Sequence, residues 1–247
     1  VSYFMTLCAF CLLFFPLLPL LIEPIQIIQR LFKSSKLLCE EYATKTALTN
    51  ENSKLLRQAQ CIHFACHGAF NKASPLESYL RLANQEALSL EEILELNLSQ
   101  SSLVTLSACE TGLSDYTSIS DEYISLPSGF LLSGSPSVVS SLWKVDEVAT
   151  AFLMIKFYEK LSPFKDLVEG NIARALNQAQ IWLRDLSYEQ FMENELPKYH
   201  TEINDILAKL PKGKRLITQS CIEQIGKRQP YPFLSPFYWA GFIAIGF

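Results

Sequence analysis

Residues 60–68 read Gln-Cys-Ile-His-Phe-Ala-Cys-His-Gly, and this stretch decides the fold class. The run from Gln60 to Cys66 is compact and apolar, and it stops at His67-Gly68. It is too short for a helix, so it is predicted as a buried strand. Ser102 to Ala108 repeats the pattern with branched residues and runs into Cys109. Ser137 to Trp143 makes a third such strand, Phe242 to Ile245 a final one, and Leu37 to Cys39 a short one.

Helical patterns fill the intervals. Glu23 to Phe32 carries Ile25, Ile28, Leu31 and Phe32 at helical spacing. Thr44 to Leu56 reads as helical. Ser89 opens a helix, with Glu92 three residues on as the other half of a capping box. Asp121 to Leu132 is expected to be helical despite Pro127, and Ser133-Gly134-Ser135-Pro136 ends it. Asp146 caps a helix to about Leu161, and another runs from about Asp166 to Leu186. Asn71 to Ser78 and Gly112 to Ser120 read as loops. Glu189 to Gln229 is polar, helical in tendency and expected to be peripheral.

Strands that alternate with helices imply an α/β fold with a mainly parallel sheet covered on both faces. In such sheets sites form at the carboxyl ends of the strands. His67 and Cys109 each lie just past a predicted strand, so two segments far apart in sequence deliver a histidine and a cysteine to one edge of the sheet.

A cysteine nucleophile acts as its thiolate and needs a partner to take its proton. Histidine suits this role because its ordinary pKa is near neutral. Gly68 follows His67, and Cys109 sits in Ser-Ala-Cys-Glu-Thr-Gly; these glycines let the backbone turn sharply beside a substrate. Backbone N–H groups at Gly68 and Cys109 would then make an oxyanion hole.

Bulk composition agrees with a folded domain. The 247 residues are 49% apolar and 19% charged, enough for a core. A net charge of -4 argues against a general nucleic-acid binder. Seven cysteines at irregular spacing do not make a disulfide framework, and Cys8 and Cys11 have no second ligand pair for a zinc site. This usage reads as reducing, hence cytoplasmic. Tyr3 to Ile22 is almost wholly apolar, broken by Thr6, Pro16 and Pro19. The favoured reading is a truncated N-terminus, ahead of a membrane anchor through residues 3–22; a signal peptide lacks its positive start. The expected division is an apolar segment over 1–17 and one domain over 18–247.

Four stretches together resemble the CHAT family: Ile-His-Phe-Ala-Cys-His-Gly (62–68), Leu-Ser-Ala-Cys-Glu-Thr-Gly (106–112), Ser-Val-Val-Ser-Ser-Leu-Trp-Lys-Val-Asp (137–146) and Pro-Phe-Tyr-Trp-Ala-Gly-Phe (236–242). The resemblance covers about residue 18 to the end. It implies a caspase-like cysteine protease domain, commonly attached to tetratricopeptide repeats, with His67 and Cys109 as the catalytic dyad. Family members usually begin well upstream, so the chain is expected to lack that part, or to replace its strand with the apolar run from Tyr3. No 34-residue repeat is visible. The implied function is a cysteine endopeptidase that needs no metal or organic cofactor, with a protein substrate and a regulatory protein or upstream repeats as partners. The alternative is a catalytically silent or membrane-tethered scaffold that retains the fold.

The remaining candidates carry weaker readings. Asp115, Asp121 and Glu122 follow the nucleophile in a polar loop and are read either as a pocket for a basic substrate residue or as solvated. Trp143, at a strand end, either floors a substrate groove or packs with Phe237, Tyr238 and Trp239. His63 reads as a core histidine, Cys66 as packed and Asp146 as a helix cap. Glu110 receives no role.

Overall fold

The computed structural model describes residues 3–8, 27–51, 53–71, 73–107, 125–143, 145–162, 167, 169–198, 224–225, 227–228 and 230–246. Six strands make the central sheet: β1 (Tyr3–Cys8), β2 (Ser34–Cys39), β3 (Cys61–Phe64), β7 (Leu103–Leu106), β8 (Ser137–Ser141) and β9 (Phe242–Gly246), in the order β2-β1-β3-β7-β8-β9. Every neighbouring pair is parallel except β8 with β9, which is antiparallel. The sheet is therefore mainly parallel, as the alternation of elements implied. Strand β9 departs from expectation in one respect: only Phe242 is buried, because β9 is an edge strand with a single partner.

The inner strands β3, β7 and β8 are buried on both faces, and side chains along the sheet alternate between two apolar layers. Phe4, Cys61, Leu103 and Val139 face helices α4 (Glu147–Leu161) and α5 (Glu169–Asp185). Their chain neighbours Met5, Ile62, Val104 and Val138 face the other layer. That layer holds α1 (Ser53–Gln58), α2 (Leu90–Leu94) and α3 (Leu126–Leu132).

Local sequence signals set the helix starts. The Ser89 hydroxyl accepts from the Glu92 N–H at 3.2 Å while Glu92 Oε2 accepts from the Ser89 N–H at 3.0 Å, completing the expected capping box. Asp146 Oδ1 accepts from the Ala149 N–H at 2.9 Å and starts α4. Pro127 falls in the first turn of α3 behind the Ser125 cap, where a missing N–H costs nothing.

The start of the apolar N-terminal run supplies a strand, the place given it by the reading in which it replaces an upstream strand. Tyr3–Cys8 lies inside the sheet, hydrogen-bonded to β2 on one side and β3 on the other, with Phe4 and Met5 fully buried. Branched and aromatic side chains that fit a pleated, buried surface explain this better than a spanning helix does. The sheet thus continues across the boundary expected between residues 17 and 18. Among the described residues no helix is long and apolar enough to cross a membrane.

Two further features were not foreseen. A small antiparallel sheet, β4 (His67–Ala69), β5 (Tyr79–Arg81) and β6 (Ala87–Ser89), follows β3. Each strand has three residues, too short to show a period. The segment expected to be peripheral contributes Phe191 and Ile225 to the core; Phe191 meets the Phe152 ring edge-on at 5.0 Å. A single aromatic anchor in a polar stretch leaves no periodic trace.

Candidate functional site

Strands β3 and β7 are adjacent and parallel, with His63 paired to Thr105 and Phe64 to Leu106. The Ser107 N–H then donates to the Phe64 carbonyl at 3.0 Å, carrying the pairing one step past β7. His67 stands three residues past Phe64, and Cys109 three past Leu106. Both segments leave the sheet at its carboxyl end from neighbouring strands.

The structure describes His67 but not Cys109. His67 is the half-buried first residue of β4, and it is paired across the small sheet with Arg81. Gly68 follows it, opposite Leu80. Cys109, Glu110, Asp115, Asp121 and Glu122 lie outside the described residues.

Beneath this edge lies a polar line on the α4 face of the sheet, formed by odd-numbered residues of β3 and β7 and the residue that follows. His63 Nε2 and Ser107 Oγ share a hydrogen bond at 2.7 Å. Thr105 Oγ1 accepts from the Tyr158 hydroxyl at 2.8 Å, and the His63 and Tyr158 rings lie 5.6 Å apart. His63 is buried, and among the described residues its Nδ1 has no hydrogen-bond partner. Burial pushes its pKa down to about 3, so the ring is neutral at physiological pH. Burial also holds the Tyr158 phenol well above its ordinary value. His63 is therefore a core histidine tied to the segment that leads to Cys109, and its geometry does not suit proton exchange with solvent.

The two cysteines that flank His63 in the sequence, Cys61 and Cys66, are buried and inert. Burial pushes the Cys61 and Cys66 thiols up to about 12, far from the lowered values of reactive thiols. Cys66 belongs to the layer opposite α4 and packs there, as expected.

Trp143 stands two residues past β8, at the same end of the sheet. Its indole N–H donates to the Phe237 carbonyl at 3.2 Å. A Cβ at Gly241 would come within 3.0 Å of its Cε2, so the ring lies tight against the backbone there. Trp143 thereby ties the end of β8 to α6 (Pro236–Trp239), and Phe237 beside it is exposed. Asp146 serves as the cap of α4 and has Arg228 at 3.9 Å.

Sequence reading missed Ser107, Tyr79 and Arg81. The parity of Ser107 with Thr105 and Leu103 was the available signal for the first. The other two needed the small sheet to be recognised.

In overall shape the chain is similar to the crystal structure of the Arg-specific cysteine proteinase gingipain R (RGPB), with a TM-score of 0.48 and 9% identity. That match covers 83% of this chain and 44% of that one, so the chain spans less than half its length. No curated protein matches the chain. The CHAT domain model matches residues 6–247, from inside β1 to the last residue, and the chain belongs to the CHAT family.

Proposed function

We propose that the chain is a cysteine endopeptidase in which Cys109 is the nucleophile and His67 the proton carrier. The observation that supports this reading most is the register of β3 and β7, which pairs Phe64 with Leu106; in the sequence His67 follows the first and Cys109 the second by the same three residues. The His67 imidazole takes the Cys109 thiol proton, and the thiolate attacks the peptide carbonyl carbon. The oxyanion is held by the Gly68 and Cys109 backbone N–H groups. When the C–N bond breaks, His67 gives its proton to the leaving amine. His67 then deprotonates a water that hydrolyses the thioester. The neutral, buried His63 acts only through Ser107.

Asp115, Asp121 and Glu122 are proposed to favour a basic residue before the scissile bond. Upstream repeats or a regulatory protein are proposed to control the loop after Gly112. Incubation with a fluorogenic peptide library tests the reading. Cleavage should disappear in Cys109→Ala and in His67→Ala while both variants keep the wild-type melt. Turnover that survives Cys109→Ala would overturn it. Peptide binding without any turnover would favour the scaffold role.

A further inference from the structure

Arg81 occupies the position opposite His67 on the neighbouring strand β5. Directly opposed residues point to the same face of an antiparallel pair, with Cβ atoms roughly 5 Å apart. On this small sheet that face carries His67, Ala69, Tyr79, Arg81, Ala87 and Ser89, none of them fully buried. The opposite face turns Leu80 and Leu88 into the core.

The guanidinium of Arg81 is held in place. Its Nη2 donates to the Tyr79 hydroxyl at 2.7 Å and its Nη1 to the Gln85 carbonyl at 3.4 Å. Its Cζ lies 5.0 Å from the centre of the Tyr79 ring. The Gln85 carbonyl belongs to a tight turn between β5 and β6, closed by the Glu86 N–H donating to the Ala83 carbonyl at 3.0 Å. Both central residues of that turn are left-handed, Asn84 at φ 56° and Gln85 at φ 62°. For a glutamine this conformation costs on the order of 1 kcal/mol, and such strain clusters at ligand clamps and active sites. Among the described residues Arg81 has no ion-pair partner. An arginine held on one side, whose further N–H donors meet no partner among the described residues, suits bidentate recognition of a carboxylate.

We infer that Arg81 is a specificity-determining residue that binds an acidic side chain of the substrate on the leaving-group side of the scissile bond. The inference rests on the proposed role of His67. The group that protonates the leaving amine faces the residues after the bond, and Arg81 is its cross-strand neighbour. The proposed carboxylates after Cys109 concern the residue before the bond, so the two preferences are complementary.

The test uses peptides that differ only in carrying Glu, Gln or Lys at the two positions after the cleaved bond. For the intact chain, kcat/KM should favour Glu over Gln by roughly tenfold. Arg81→Gln should abolish that preference, Arg81→Glu should turn it toward Lys, and Arg81→Lys should keep part of it. A role limited to tuning His67 would shift the pH profile and lower kcat for all peptides alike, which would overturn the inference. So would unchanged selectivity in Arg81→Gln. The same peptides are also titrated by fluorescence anisotropy onto the Cys109→Ala chain with and without Arg81→Gln. Tighter binding of the Glu peptide, lost with Arg81, supports the carboxylate site even if the intact chain turns nothing over. In that event it is the dyad that has failed. Equal affinity for all three peptides would overturn the site.

Discussion

His63 Nε2 and Ser107 Oγ lie 2.7 Å apart, one on β3 and the other just beyond β7. The bond crosses the joint between the two segments that go on to His67 and Cys109. A buried histidine in such a place is held neutral, since its pKa is pushed down to about 3 by loss of solvent.

This sets a pH dependence with a definite sign. The unfolded chain protonates His63 near 6.5, whereas the folded chain resists protonation until about 3. Between those values the unfolded state binds more protons, so stability is full above about pH 6.5 and falls as the pH drops toward 3. The slope reaches about 1.4 kcal/mol per pH unit. Urea unfolding of the wild type and His63→Gln at several pH values isolates this contribution. The variant should be less stable at pH 7 by about 1–3 kcal/mol, because Ser107 loses its partner, and should lack that part of the acid slope. Parallel curves for the two proteins would rule the account out.

Cysteine reactivity should separate by position. With thiols near 12, Cys61 and Cys66 carry about one thiolate in 10⁵ at pH 7. Native protein treated with iodoacetamide and analysed by peptide mapping should leave both unmodified, while urea-unfolded protein should label them freely. If the dyad is assembled, Cys109 should be the fastest site, and His67→Ala should slow it. Rapid native labelling of Cys66 would mean that the packing described is wrong.

The parts of the fold legible in sequence were those that repeat a signal over several residues. β3 and β7 appeared as short, mostly apolar runs because both sheet faces are covered, and β8 as a short run of small and branched residues. The Ser89–Glu92 box and the Asp146 cap were legible because capping uses fixed spacings. The strand at Tyr3–Cys8 was hidden inside a longer apolar run, where a strand, a leader and a spanning helix share one composition. The small sheet was hidden because three-residue strands have no period, and with it went the pairing of His67 with Arg81. Near the proposed site, the position of His67 just past β3 and the packed places of His63 and Cys66 followed from strand ends and parity. The positioning link at Ser107 needed the register.

Two glycines should respond oppositely to the same change. A Cβ at Gly246 would sit 2.4 Å from the Pro136 carbonyl oxygen, a backbone atom that moves only if β8 and β9 part. Gly246→Ala should cost about 1–3 kcal/mol. Gly170 lies at the start of α5, and among the described residues nothing comes within 4 Å of the added atom. Gly170→Ala should therefore gain about 0.5–1 kcal/mol by restricting the unfolded chain. Thermal melts read both; a stabilising Gly246→Ala would contradict the edge geometry.

Strand β1 should be indispensable to the fold. Phe4 is fully buried, stacked on Phe32 with centroids 4.3 Å apart and edge-on to Tyr158 at 5.3 Å. Tyr158 in turn bonds Thr105, so Phe4 supports the polar line beneath the site. Phe4→Ala should destabilise by about 3–5 kcal/mol, a large share of the roughly 5–15 kcal/mol that holds a domain together. Phe4→Leu, which keeps most of the volume, should cost about half as much or less. Removing residues 1–8 goes further: among the described strands β2 loses its one neighbour and β3 gains a bare edge. Unpaired strand edges recruit other chains, so this shortened protein should elute as aggregates in size-exclusion chromatography and melt without cooperativity. A monodisperse shortened protein with the wild-type melting temperature would show that β1 is dispensable and that the sheet is closed in some other way.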